Sequence, residues 1–216
     1  VSGDPRLDGH PRLAELATRA RAHVWSYTYH DRYFGKPLAD EQGTRDRPFD
    51  LTVQFDKPMM DAALAALGSK PWPGPRPTVL LLIGVRNPAG VEFMLASDAE
   101  LGSLHREAFG DASYRHALPI RFPTVGQLRA AGVDYAALGA AGIPASAELL
   151  HMAGADIALS GLLDWSEADA GWIANWTLHA REGSVRWQVR GVNFDAAYRN
   201  ALAGSAQILS GNGAPR

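Results

Sequence analysis

The seven histidines are the first residues to ask about, since imidazole carries protons and binds metals near neutral pH. They lie far apart in the chain. His105 with Glu107, and His30 with Asp31, are the close His/carboxylate neighbours, and neither pair has the spacing that turns two side chains to one helix face. Asp4, Asp8 and His10 can be drawn as a metal cluster, but they fall in a Gly- and Pro-containing terminal segment where such residues commonly make turns. The stretch GAAGIPAS has backbone amides to offer a phosphate and no Lys or Arg beside it, so it reads as a loop. H-E-x-x-H, G-x-S-x-G, Walker and G-x-G-x-x-G patterns are missing. Zero cysteines exclude disulfides, thiolate metal sites and cysteine nucleophiles. No catalytic, metal-binding or cofactor-binding residue is assigned, no cofactor is expected, and the reading leans away from an enzyme. An enzyme of unfamiliar design would need a pocket that gathers ionisable groups, for example His105 or His151 beside a carboxylate.

Aromatic side chains offer a different chemistry, stacking against a sugar or gripping an extended peptide. Trp25, Tyr27 and Tyr29 share one face of a predicted strand, Trp172 and Trp176 share one face of another, and Trp187 lies on its hairpin partner. Such stripes are more often core than groove. Asp164 and Trp165 end a predicted strand, at the position where α/β proteins often hold ligands. In KPWPGPRP, residues 70–77, the prolines sit two apart, whereas polyproline recognition reads them three apart. That stretch reads as a stiff strand entry with Trp72 packed down as an anchor. These nine residues are the candidate ligand or partner contacts.

The elements that must position them follow from periodicity. Pro11 to Val24 reads as an amphipathic helix, followed by two half-buried strands around 25–29 and 49–56 with a polar surface loop between them. Pro58 to Leu67 reads as a helix ending at Gly68. Val79 to Val85 is apolar on both faces, as a central covered strand must be, and Asn87-Pro88-Ala89-Gly90 turns it into a hairpin with Val91 to Ala96. A helix capped by Ser97 or Asp98 and ending near Gly110, a short strand from Pro119 to Phe122, and helices from Thr124 to Ala131 and Ser146 to Ala153 come next. GVDYAALGAAGIPAS between those last two helices reads as a connection. The strand Asp156 to Leu163 leads to a hairpin, Gly171–Arg181 with Ser184–Arg190, and a closing helix, Asp195–Leu209. With 46% hydrophobic and 20% charged residues the composition is globular. A formal charge of -2 gives no electrostatic footprint for nucleic acid. No apolar run approaches the roughly 20 residues of a membrane span, so none is expected.

Several segments in order resemble one family, the bacterial proteins grouped as domain-of-unknown-function family 2066. They are VSGDPRL, VWSYTYHDR, PWPGPRPTVLLLIGV, GADIALSGLL and WQVRGVNFDAAYRNALAGSAQIL, which together span nearly the whole chain. GADIALSGLL is also similar in pattern to a segment of the TolB N-terminal domain and of lipoprotein activators of cell-wall synthases. The resemblance implies an exported, periplasmic protein whose precursor carries a signal peptide, with a strand and helix ahead of the SGDP segment. It implies no catalytic residues.

The expected architecture is α/β, leaning to α+β: a truncated N-terminal α+β unit (1–69), a Pro-rich linker (70–77) and a main domain (78–216) with a mixed sheet and helices packed on its faces. The expected function is a non-catalytic interaction or assembly module of the cell envelope whose partner is another envelope protein. The alternative is a small-ligand or glycan-binding protein that uses the aromatic strand faces.

Overall fold

A computed structural model describes residues 2–35, 39–40, 43–44, 48–141, 147–180 and 183–215. The chain divides into two compact units, the smaller formed by Ser2 and Arg6–Pro71 and the larger by Gly3–Pro5 with Trp72–Arg216.

In the smaller unit α1 (Pro11–Thr18) starts with proline in its first turn, where its missing N–H costs nothing. The helix is shorter than its periodicity predicts. The Thr18 hydroxyl donates back to Glu15 O at 2.7 Å, and the chain tightens into a 3₁₀ turn, Ala20–His23, before β1 (Val24–Asp31). The short strands β2 (Ala39–Asp40) and β3 (Gly43–Thr44) pair within the predicted loop, most of which lies outside the described residues. β4 (Phe49–Phe55) returns antiparallel to β1. Asp56 then accepts a hydrogen bond from Met59 N at 2.8 Å and so caps α2 (Lys57–Ala66), which stops ahead of the left-handed Gly68.

The larger unit is built on β5 (Val79–Arg86), followed by β6 (Glu92–Met94), α3 (Ser103–His116), β7 (Ile120–Arg121), α4 (Val125–Ala130), α5 (Tyr135–Ala141) and α6 (Ala147–Ala153). Then come β8 (Ile157–Ser166), β9 (Gly171–Ala180), β10 (Gly183–Val192) and α7 (Phe194–Leu209). The sheet order is β10-β9-β8-β5-β6, with β7 pairing beside β6 on the same edge of β5. β5 runs parallel to β8 and β7 while the other pairs are antiparallel, so this is an α/β fold with a mixed six-stranded sheet. β5 is covered on both faces. Val79, Leu81, Ile83 and Val85 join the core made with α3 and α7, whereas Leu80 and Leu82 join a second core with Leu128, Leu138 and Leu149 from α4, α5 and α6. Among the described residues no helix is long and apolar enough to cross a membrane.

Three local expectations change. α3 starts at Ser103 rather than near Asp98, because the Asp98 carboxylate is used elsewhere, accepting from Val125 N at 2.8 Å where α4 begins. It also runs through Gly110 to His116, ending where Ala117 turns left-handed. The predicted connection GVDYAALGAAGIPAS contains α5: its alanines are strong helix formers, and Asp134 caps the turn by accepting from Ala137 N at 2.7 Å. Residues 142–146 of that stretch lie outside the described residues.

The Pro-rich stretch is part of the larger unit from Trp72 onward. The Arg76 guanidinium lies 4.5 Å from the Trp72 ring centroid and donates to His116 O (2.7 Å) and Ala117 O (3.0 Å), closing the C-terminus of α3.

Candidate functional site

Strand register decides where the aromatic side chains of the smaller unit go. β1 and β4 pair Tyr27 with Val53, Tyr29 with Leu51 and Asp31 with Phe49, so Tyr27, Tyr29, Phe49, Leu51 and Val53 occupy one face. The other face carries Ser26, Thr28 and His30 opposite Gln54, Thr52 and Asp50, with Ser26 Oγ donating to Gln54 at 2.9 Å and Arg32 Nε donating to Asp50 at 2.7 Å. Trp25 sits at the register shift at one end of the ladder.

These strands are expected to be half-buried, and the apolar face instead meets solvent. Trp25 is 74% exposed, Tyr27 62% and Tyr29 64%, with Phe49, Leu51 and Phe55 also exposed. The rings lie on one another edge-on, Tyr27 to Tyr29 at 5.7 Å and Tyr29 to Phe49 at 6.3 Å. Of these side chains Phe55 meets the helices, and the Tyr27, Tyr29 and Phe49 rings stay exposed. α1 and α2 are tied together by Arg12 Nη1 donating to Ala66 O at 3.1 Å, and with Phe55 they enclose a cavity of about 230 Å³ lined by Leu13, Leu16, Met60 and Leu64. Leu64 is the one buried apolar side chain of this unit among the described residues.

The other sequence-derived contacts belong to the fabric of the larger unit. Trp172, Trp176 and Trp187 are buried, and Trp176, only 1% exposed, fills the space left by Gly161, where an added Cβ would stand 2.1 Å from the ring. Trp187 Nε1 donates to Asn200 at 3.0 Å. The terminal-hairpin stripe is therefore core and not a groove, because α3 and α7 lie over that face of the sheet. Trp165 packs edge-on against Trp172 at 5.6 Å and donates to Glu167 at 2.9 Å, and Trp72 is held between the core and Arg76.

Asp164 accepts a short hydrogen bond from the Tyr135 hydroxyl and lies 3.7 Å from Arg86, whose guanidinium stacks over the Tyr135 ring at 4.9 Å and pairs with Glu92 at 2.9 Å. Burial, and then the bond to Asp164, push the Tyr135 hydroxyl well above its ordinary pKa, so it stays a donor. The strand ends that fold analogy marks for a ligand are thus filled by a closed set of side chains.

His105 is boxed by Phe93, Trp172, Phe194 and Tyr198, with Nδ1 2.6 Å from the Tyr198 hydroxyl, and burial lowers its pKa. Periodicity alone misses one polar cluster. Ser160 Oγ lies 2.8 Å from His179 Nε2, and His179 Nδ1 lies 3.1 Å from Ser184 Oγ. Burial first, and the nearby Arg186 charge second, lower the His179 pKa. The signal was the second face of β9, where Asn175, Thr177 and His179 alternate with the tryptophans, but only strand pairing brings Ser160 to it. Comparison of the chain with family models, curated proteins and solved structures found no match.

Proposed function

We propose that this chain is a non-catalytic interaction module of the bacterial cell envelope, and that the aromatic face of β1 and β4 docks another envelope protein. The observation that carries the reading is the exposure of Trp25, Tyr27 and Tyr29 beside Phe49, Leu51 and Phe55. Exposed apolar side chains gathered on one sheet face in this way mark an interaction surface more often than scattered single ones do. Tyr and Trp dominate binding hot spots, since they bury a large apolar body at small entropic cost. Among the described residues β1 and β4 pair only with each other, so each has an unpaired edge as well, and an isolated pair of strands is stabilised by a third. Family resemblance supplies the envelope location. The face is also suited to stacking on a sugar, but deep glycan and small-ligand sites are concave, and an exposed sheet face with open edges matches a protein surface better.

Incorporation of 5-fluorotryptophan gives six ¹⁹F resonances, one for each tryptophan, and Trp25→Phe assigns the exposed one. Unlabelled envelope extract should shift or broaden the Trp25 signal and leave those of Trp172, Trp176 and Trp187 in place. A Trp25 signal indifferent to envelope extract, or one moved as strongly by purified cell-wall sugar fragments, overturns the proposal.

A further inference from the structure

A second surface, in the larger unit, carries a different chemistry. Pairing of β8 with β9 sets Ser160 opposite Thr177, and pairing of β9 with β10 sets Thr177 opposite Arg186. Three polar side chains therefore cross the sheet in one row, on the face away from Trp176. The neighbouring row runs Leu162, Asn175, Gln188. α5 stands beside them as a wall, and a cavity of about 410 Å³ lies between its Leu138, Gly139 and Ala140 and these rows.

The polar floor is made of donors. Gln188 Nε2 donates to Asn175 Oδ1 at 2.6 Å, which leaves the Asn175 amide nitrogen as its open group. The Ser160 hydroxyl is engaged by His179, itself steadied by Ser184. Thr177 adds a hydroxyl and Arg186 a guanidinium. None of the described lining residues is acidic, and among the described residues Arg186 forms no ion pair. Arg190, four residues along the same strand, contrasts with it, being held by Asp169 at 3.0 Å. A guanidinium without a carboxylate, beside hydroxyl and amide donors, matches the oxygens of an anion. The opposing apolar side chains match a carbon skeleton.

We propose that this pocket binds a small organic oxyanion, its carboxylate or phosphate lying on Arg186, Thr177 and Asn175 and its carbon chain on Leu138 and Leu162. Burial and the Arg186 charge favour the neutral form of His179, so Arg186 is the positive group of the pocket. The site is independent of the aromatic face in the smaller unit, and either proposal can fail without the other.

The test is a titration of the ¹⁵N-labelled chain with n-butyrate and with n-butyl phosphate, probes that share a tail and differ in the anionic head. At least one should shift the amides of Gly139, Asn175 and Thr177 saturably, and the stronger of the two identifies the head. Arg186 is exposed, so Arg186→Gln leaves the rest of the spectrum unchanged and should weaken binding about tenfold or more, as loss of a charged hydrogen bond does. Arg190→Gln removes the same charge outside the pocket and should leave binding within twofold. Absence of saturable shifts with both probes, or equal weakening by Arg190→Gln and Arg186→Gln, overturns the proposal.

Discussion

A single methyl group placed on Gly161 tests whether the tryptophan stripe of the terminal hairpin is core. The added Cβ would stand 2.1 Å from Cε3 and 2.3 Å from Cζ3 of Trp176, and 3.1 Å from the Asn175 carbonyl oxygen. Carbon atoms rest at about 3.5–4.0 Å, so the ring has to retreat by roughly 1.5 Å. It has nowhere to go, because Trp176 is 1% exposed and packed against Phe109 and Tyr198. Overpacking of a close-packed core costs about 1–3 kcal/mol, and a rigid ring blocked on its far side places Gly161→Ala near the top, at about 3 kcal/mol. Urea unfolding followed by tryptophan emission reads this well, since five of the six tryptophans lie in the larger unit. With a slope of about 2 kcal/mol per molar urea, the midpoint of that unit should fall by about 1.5 M. Adding Trp176→Leu makes room for the methyl, so the double variant should lose less than the two single losses combined. A Gly161→Ala midpoint within about 0.3 M of the parent would refute the packing argument and reopen the stripe as a groove.

Three more outcomes are expected. Tyr27→Ser, Tyr29→Ser and Leu51→Ser, all at exposed positions, should each move stability by no more than about 0.5 kcal/mol, measured by the same unfolding, whereas residues serving a hidden core would cost several times that. Arg76→Ala removes two hydrogen bonds from the end of α3 and the cover over Trp72, and should cost about 2 kcal/mol; Arg76→Lys, which cannot make the same planar fork, should recover only part of it. His105 and His179 have folded-state pKa values below the ordinary 6.5, so protonation favours the unfolded chain. Their contribution to stability is complete above about pH 6.5 and is lost as pH falls through the depressed values. Unfolding at pH 7.5 and 5.5 should show that loss, and the variant combining His105→Gln with His179→Gln should show a smaller pH dependence.

The larger unit was legible because its strands announce themselves. Val79–Val85 is apolar at every position, as a strand covered on two faces must be, and β9 alternates Trp172, Ala174, Trp176 and Leu178 with a face that carries Asn175, Thr177 and His179. What pattern could not say was which layer would cover each face. The same alternation marks Trp172 and Trp176 and also Tyr27 and Tyr29, and the two stripes end in opposite environments. One lies under α3 and α7; the other is exposed, and among the described residues α1 and α2 pack on each other and meet β4 at Phe55. Phe49 and Leu51 were read as the inward side of a half-buried strand, and register with β1 makes them part of the open face. Asp164 was singled out from its place at a strand end, but its partners Tyr135 and Arg86 come from distant segments, so its closure by them could not be anticipated. The Ser160–His179 contact is hidden for the same reason, its two members lying on different strands and meeting only through pairing.

Whether the face bearing Tyr27, Tyr29 and Leu51 docks a partner is decided by site-specific photo-crosslinking in cells. A benzophenone amino acid is placed in turn at residues 27, 29 and 51 and, as controls on the opposite side of the same ladder, at residues 28 and 52. The first three positions should trap one and the same envelope protein, and the two controls should not. Equal trapping from both sides of the sheet, or none from residues 27, 29 and 51, would contradict it.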